Sequence, residues 1–265
     1  MDFSLLPNAS VMGILNVTPD SFSDGGRYFA ADAAVSHALE MQAQGAEIID
    51  VGGQSTRPGA ERISAQEEIL RLEPVLEGLR GVINAHISVD TFYTEAAEFA
   101  LENGAVIVND VSGTPGAAMA ETVLRHSAGW IIMHNPGGQG GAVSVPDYPN
   151  GVVRAVRDFF VNSLTLAENW GIPANSLCLD PGFGFGKTYA EHAALLSSRS
   201  IWDVGAATLI GLSRKRFVRE LFGAQTEPEL DIAGAALHSI AAKNGAKIIR
   251  THNVALTKQV LKSLC

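Results

Sequence analysis

Residues 86–113, HISVDTFYTEAAEFALENGAVIVNDVSG, hold one full period of the pattern that decides the fold. A short apolar run (HISVD) leads into a helical stretch (TEAAEFALENG). Gly104 then supplies the left-handed cap that turns the chain into the next apolar run, VIVND. Continuous rather than alternating apolar runs are what parallel strands covered by helices require. The period recurs from end to end. Strands are predicted at 11–17, 47–53, 86–91, 106–113, 130–134, 177–182, 208–213 and 248–253, with helical patterns between them and glycine stops at Gly45, Gly104 and Gly245. Eight β/α units in 265 residues predict an α/β fold, a single-domain TIM (β/α)8 barrel over residues 1–265. A doubly wound open sheet is the alternative, disfavoured because no glycine-rich dinucleotide fingerprint follows the first strand.

Run after run ends on a polar side chain: Asn16, Thr56 and Arg57, Asp90, Asn109 and Asp110, His134, Asp180, Lys215, and Arg250 with His252. Polar groups after buried strands cost stability unless they are paired. In a barrel these ends share the C-terminal face, where barrel enzymes do their chemistry. Residues 18–30 after strand one and 55–64 after strand two form long polar loops, and residues 135–150 are rich in Gly and Pro. All three are candidate lids.

Composition narrows the partners. Net charge is −9 and no dense Lys/Arg stripe occurs, which argues against nucleic acid. No run approaches the roughly 18 apolar residues of a membrane span. The first residues lack a signal-peptide pattern, and two cysteines, Cys178 and Cys265, make no disulfide framework, so a cytoplasmic location is expected. No His/Cys/Asp grouping has zinc-ligand spacing.

Individual motifs keep two readings. GFGFGKT (182–188) fails the nucleotide phosphate-loop pattern because Pro181 stands where glycine is needed. With Phe183 and Phe185 it suits a flat aromatic ligand, or else is merely a flexible loop. Asp90 and Asp180 are either helix caps or structural ion-pair partners, or, with Asn109, acceptors for a ligand edge bearing adjacent N–H groups, such as an aminopyrimidinone. Arg250 and His252 lie two apart on a strand and so share a face, fit for an anion clamp with Lys215. Arg214 and Arg216 read as a solvated basic helix start. Asn16 is a turn residue or a ligand for a hard cation such as magnesium. His134 reads equally as structural or as a ligand.

Taken together, GILNVTPDSFSDGG (13–26), IIDVGGQSTRPGA (48–60), SVDT (88–91), VNDVSG (108–113), DPGFGFGK (180–187), SRK (213–215) and R-x-H (250–252) resemble the dihydropteroate synthase family, in the family's order and over nearly the whole chain. The resemblance implies a barrel that condenses 6-hydroxymethyl-7,8-dihydropterin diphosphate with 4-aminobenzoate and releases pyrophosphate, using magnesium and working as a homodimer. Asp90, Asn109, Asp180, Lys215 and Arg250 would hold the pterin. Asn16, Thr56, Arg57, Arg250 and His252 would hold the diphosphate, with Asn16 also the metal ligand. Phe22, Thr56, Pro58, Phe185 and Ser213 would form the aminobenzoate pocket, and Asp90, Asp180, Lys215 and Arg250 would carry catalysis. The end of the chain one helix past strand eight is read as leaving no fused pyrophosphokinase.

Three segments depart from the family pattern: MHNPG (133–137), RTHN (250–253) and DIAGAALHS (231–239). The departures at Asn135 and Asn253 keep a non-catalytic pterin-binding paralogue in view, while a methyltetrahydrofolate-binding methyltransferase domain, which shares the barrel and pterin site, is counted against by TPDSFSDGG, STRPG and R-x-H. The Ala-rich stretch 232–242 is the candidate dimer surface.

Overall fold

Eight strands close into one parallel barrel in chain order: β1 (Ser10–Asn16), β2 (Ile48–Gly52), β3 (His86–Asp90), β4 (Ile107–Asp110), β5 (Gly129–Met133), β6 (Leu177–Asp180), β7 (Ala207–Gly211) and β8 (Ile248–Thr251). β8 returns to pair with β1, which excludes the open sheet. The structure is a computed structural model and describes residues 1–17, 26–55, 62–138 and 145–264, with side chains in the first helix described from Ala31. Among these residues the helices are α1 (Gly26–Ala43), α2 (Ala65–Leu79), α3 (Thr94–Glu102), α4 (Ala117–Arg125), α5 (Val152–Asn169), α6 (Tyr189–Ser197), α7 (Arg216–Phe222), α8 (Glu227–Asn244) and α9 (Val254–Lys262).

Local chemistry sets the element ends. Gly45, Gly104 and Gly245 take the expected left-handed caps (φ 103°, 103° and 113°). Capping boxes start α6 (Thr188 with Glu191) and α8 (Thr226 with Glu229). The predicted strands 106–113 and 177–182 are too long at their C-terminal ends. Asp110 Oδ1 accepts from the Ser112 N–H at 2.9 Å and Asp180 Oδ1 from the Gly182 N–H at 2.7 Å, so each carboxylate folds the chain back and ends its strand. Helix α1 begins at Gly26, inside the predicted loop 18–30.

A strand's two-residue period sorts its side chains into inside and outside. Met12, Ile48, Ile107, Ile131, Cys178, Leu209 and Ile248 fill the lower barrel, with Phe3 and Leu6 packed into the same cluster. Their neighbours Val11, Ile49, Val108, Ile132, Leu179, Ile210 and Ile249 face the helices in the larger cluster. Two residues further along β2, β4, β6 and β8 the inward positions are Asp50, Asn109, Asp180 and Arg250, with Asp90 two past Ser88 on β3, while β1, β5 and β7 place Ile14, Met133 and Gly211 there. The polar layer therefore lies one tier above an apolar plug, at the C-terminal mouth.

Candidate active site

Arg250 links the floor of the mouth. Its Nε donates to Asp50 Oδ2 at 2.7 Å and its Nη2 to Asp90 Oδ2 at 2.7 Å, while Asn109 Nδ2 donates to Asp50 Oδ2 at 3.0 Å. Strands β2, β3, β4 and β8 are thereby joined by one buried network. Asp50 Oδ1 and Asp90 Oδ1 are buried and accept no hydrogen bond among the described residues. Burial pushes the Asp90 carboxyl up to about 7, with Arg250 opposing the rise and the Asp50 charge adding to it. Burial also works against the Arg250 charge, but Asp50 and Asp90 outweigh it and hold the guanidinium above its ordinary value.

Asp180 enters from β6 across the barrel. Burial raises its pKa, and Lys215 is the main opposing influence. Burial in turn lowers Lys215 to about 8, with Asp180 resisting. Lys215 Nζ donates to the Phe183 carbonyl and lies 4.9 Å from the centre of the Phe185 ring. A cation and an aromatic face thus meet, and the charges of Asp180 and Asp90 act on that cation. Phe185 is half-buried at the mouth, but Phe183 is not a ligand face. It is fully buried, stacked on Phe217 at 6.2 Å, which corrects the expectation that both rings serve an aromatic ligand.

The glycine-rich loop that presents these groups is held from inside. Lys187 is buried, and its ammonium donates to the carbonyls of Gly182 (2.9 Å), Phe185 (3.0 Å) and His134 (3.4 Å). His192 receives the Gly184 N–H on Nε2 at 2.7 Å, and its Nδ1 lies 2.6 Å from the Thr188 carbonyl. Burial lowers this imidazole to about 4, so at neutral pH it is an uncharged acceptor. Gly182 has φ 68°, and a Cβ there would lie 2.0 Å from the His134 carbonyl oxygen. Gly182→Ala should therefore destabilise the protein by about 2–3 kcal/mol. A urea midpoint equal to that of the wild type would refute this.

At the rim, Ser213 Oγ accepts the His252 N–H at 3.2 Å and lies 3.0 Å from His252 Nδ1, so the ends of β7 and β8 meet. Asn16 ends β1 with its side chain exposed, and its Oδ1 lies 3.8 Å from where a Cβ on Gly52 would sit. Of the other expected residues, Phe22, Thr56, Arg57 and Pro58 lie outside the described residues. His134 faces away from the barrel interior, edge-on to Phe159 at 5.2 Å, in a structural position. Asn135 ties its own turn, donating to the carbonyls of Val111 and Gly138 at 3.0 Å each.

Asp50 and Glu68 escaped the sequence reading. Asp50 sits inside IIDVGG rather than at its end, and attention to strand ends passed over it. Its signal was an acid in phase with the inward Ile48. Glu68 on α2 left no such signal. It is buried, accepts from the Thr91 hydroxyl at 2.6 Å and is raised by burial to about 7, and its charge also raises Asp90. The reading of Arg214 as solvated is corrected too, because it makes a bidentate pair with Asp231, whereas Arg216 is exposed as expected.

Comparison with known proteins identifies the family and matches the fold. The profile of the family described as "Pterin binding enzyme" matches residues 12–252. A dihydropteroate synthase of Streptococcus pyogenes serotype M18 (strain MGAS8232) is 41% identical over 265 residues, 99% of this chain and 97% of the relative. That of Bacillus subtilis (strain 168) is 37% identical over 256 residues, 96% of this chain and 87% of the relative. Among solved structures, the Xanthomonas albilineans dihydropteroate synthase with 4-aminobenzoic acid superposes with a TM-score of 0.90 at 39% identity, covering 97% of this chain and 92% of that one. The same organism's enzyme in complex with 7,8-dihydropteroate gives 0.86 at 37%, with the same coverage.

Proposed function

The chain belongs to the dihydropteroate synthase family of pterin-binding enzymes, and from that premise we propose how its barrel mouth works. The reaction joins 4-aminobenzoate to the methylene of 6-hydroxymethyl-7,8-dihydropterin diphosphate, giving 7,8-dihydropteroate and pyrophosphate. The observation that carries the reading is the floor network. Among the described residues Asp50 Oδ1 and Asp90 Oδ1 have no donor, and they lie above an apolar plug beside Asn109 and Asp180. A flat pterin edge brings adjacent N–H donors, which buried carboxylates accept strongly.

The electron pair of the breaking C–O bond leaves with pyrophosphate, and the methylene cation is conjugated with the pterin. Asp90 and Asp180 stabilise that positive charge from fixed positions in a site of low dielectric. Their burial makes the ionised form costly until a donor or cation faces them. Lys215 and Phe185 border the place where the aromatic amine attacks. The amine bonds through nitrogen and then gives up its proton to water, so no strong base is required. His252 and Arg250 offer positive or donor groups toward the diphosphate, and Thr56 and Arg57 belong to this clamp by family resemblance.

Magnesium fits the donor set at the rim. No group of three or more His, Cys, Asp or Glu among the described residues could hold a metal. One exposed amide oxygen, that of Asn16, suits an ion that draws its other ligands from diphosphate and water. When bound there, magnesium would spread the charge of the departing pyrophosphate.

We further propose a homodimer built on α7 and α8. Ile232, Ala236 and Ile240 form an exposed i, i+4, i+8 stripe, and Leu221 and Phe222 are exposed beside it in sequence. A cytoplasmic location fits a chain with two cysteines, of which Cys178 is buried in the barrel. No helix among the described residues is long and apolar enough to cross a membrane. The Yersinia pestis relative was solved as a sulfonamide drug complex, and a sulfonamide should compete with 4-aminobenzoate here.

The decisive experiment is pyrophosphate release with both substrates. Wild type should release it with formation of 7,8-dihydropteroate. Lys215→Ala and Asn16→Ala should each lower kcat/KM by roughly 10²-fold, through loss of charge stabilisation and of the metal ligand respectively. Pterin binding without pyrophosphate release would mark a non-catalytic paralogue. Full activity in both variants would sink the residue assignments.

A further inference from the structure

We infer that Asp231 on α8, outside the ring of strand ends, is a positioning residue that locks the two segments carrying Ser213, Lys215 and His252. The inference rests on the function proposed above. Arg214 lies between Ser213 and Lys215 with φ 56°, a left-handed conformation disfavoured for a residue with a side chain. Such outliers persist only where their surroundings over-determine them. Here Asp231 does so. Its Oδ1 accepts from Arg214 Nε at 2.9 Å and its Oδ2 from Nη2 at 3.0 Å, and the Asp231 side chain is only 5% exposed. This is the planar bidentate geometry that gives an arginine pair its directional hold.

The same carboxylate reaches the other segment. Asp231 Oδ2 also accepts from Asn253 Nδ2 at 3.1 Å, and Asn253 Oδ1 accepts from the Leu256 N–H at 3.1 Å, capping α9. One acid therefore fixes the turn after β7 and the start of the helix after β8. Between these two anchored points Ser213 and His252 hydrogen bond to each other. Helix α8 is seated closely below them, because a Cβ on Gly234 would come within 3.7 Å of the Ser213 Cα. Glu227 also meets Arg214, at 2.6 Å, but it is 66% exposed and solvent weakens its hold. Two of the segments that depart from the family pattern, RTHN and DIAGAALHS, meet in this contact. The amide at 253 and the acid at 231 act as one unit.

The test uses the full chain and steady-state kinetics for both substrates. It adds the binding of 6-hydroxymethylpterin, which lacks the diphosphate, and amide hydrogen exchange. Asp231→Ala should raise the Michaelis constants for both the aminobenzoate and the pterin diphosphate by roughly 5–10-fold, as expected for reacting groups displaced by a fraction of an ångström. Binding of 6-hydroxymethylpterin, held mainly by the floor residues Asp50, Asp90 and Asn109 with Lys215 only at its edge, should weaken by roughly twofold, less than either Michaelis constant rises. Exchange should rise in residues 212–216 and 253–257 together. Arg214→Gly, which adopts the turn without strain, should outperform Arg214→Ala by at least about threefold in kcat/KM. Wild-type constants in Asp231→Ala overturn the inference, as does an equal loss of 6-hydroxymethylpterin binding, or a glycine variant no better than alanine. Exchange needs no substrate, so an inactive wild type would sink the function while leaving exchange to decide on the pin.

Discussion

Arg250→Met should cost about 3–5 kcal/mol of folding stability, because it leaves the buried Asp50 and Asp90 carboxylates without their common cation. In a domain of this size that is a fall in Tm of roughly 10 °C. Methionine keeps much of the arginine stem's packing, so the loss reports charge rather than volume. The pH dependence identifies the cause. The folded-state pKa of Asp90 is raised, so its contribution to stability is complete below its ordinary carboxylate range and is lost as pH rises through about 7. Glu68, also raised to about 7, adds a loss of the same sign in the same window. Arg250 lowers Asp90, so its removal moves Asp90 higher still. The stability gap between wild type and variant should widen as pH rises, most steeply above about pH 7. Thermal melts of both proteins between pH 5 and 9, on the order of one unit apart, would show this. A gap that shrinks with rising pH would refute the floor network as drawn. Activity should vanish in the same variant, since the two carboxylates lose their orientation.

Asp180→Asn should lower kcat/KM by roughly 10²–10³-fold, mainly through the pterin substrate. The amide keeps the volume and can still accept from the Gly182 N–H, which Asp180 Oδ1 now does at 2.7 Å, so the fold should survive. It cannot offer two acceptor oxygens to substrate N–H groups, and it cannot stabilise a cation on the methylene. Lys215 would also lose its chief counter-charge. Burial already lowers Lys215 to about 8 and Asp180 resists that, so the variant's lysine should titrate lower. The alkaline limb of the pH–kcat/KM profile should then move to lower pH. An unmoved limb with an unchanged Michaelis constant for the pterin diphosphate would show that Asp180 does not face the substrate.

The sequence by itself determined the barrel and most of its polar ring. Eight apolar runs with glycine-capped helices leave little freedom for another fold, because a parallel strand must be covered on both faces. The acids and amide at 90, 109 and 180, and the bases at 215, 250 and 252, were legible because a polar residue ending an apolar run has no apolar explanation. Tertiary structure alone decided which of them are partners. Asp50 and Arg250 lie 200 positions apart and meet at 2.7 Å only because β8 closes against β1 and so sits next but one to β2. Phe183 and Phe185 look alike in the text, but the left-handed glycines of their loop send one into the core and leave the other at Lys215. Lys187 and Asp231 have no local signature either. A buried cation on three carbonyls, and an acid bridging two loops, are defined by where backbone groups converge in space. Periodicity fixes which face a side chain takes, and barrel closure fixes what it meets there.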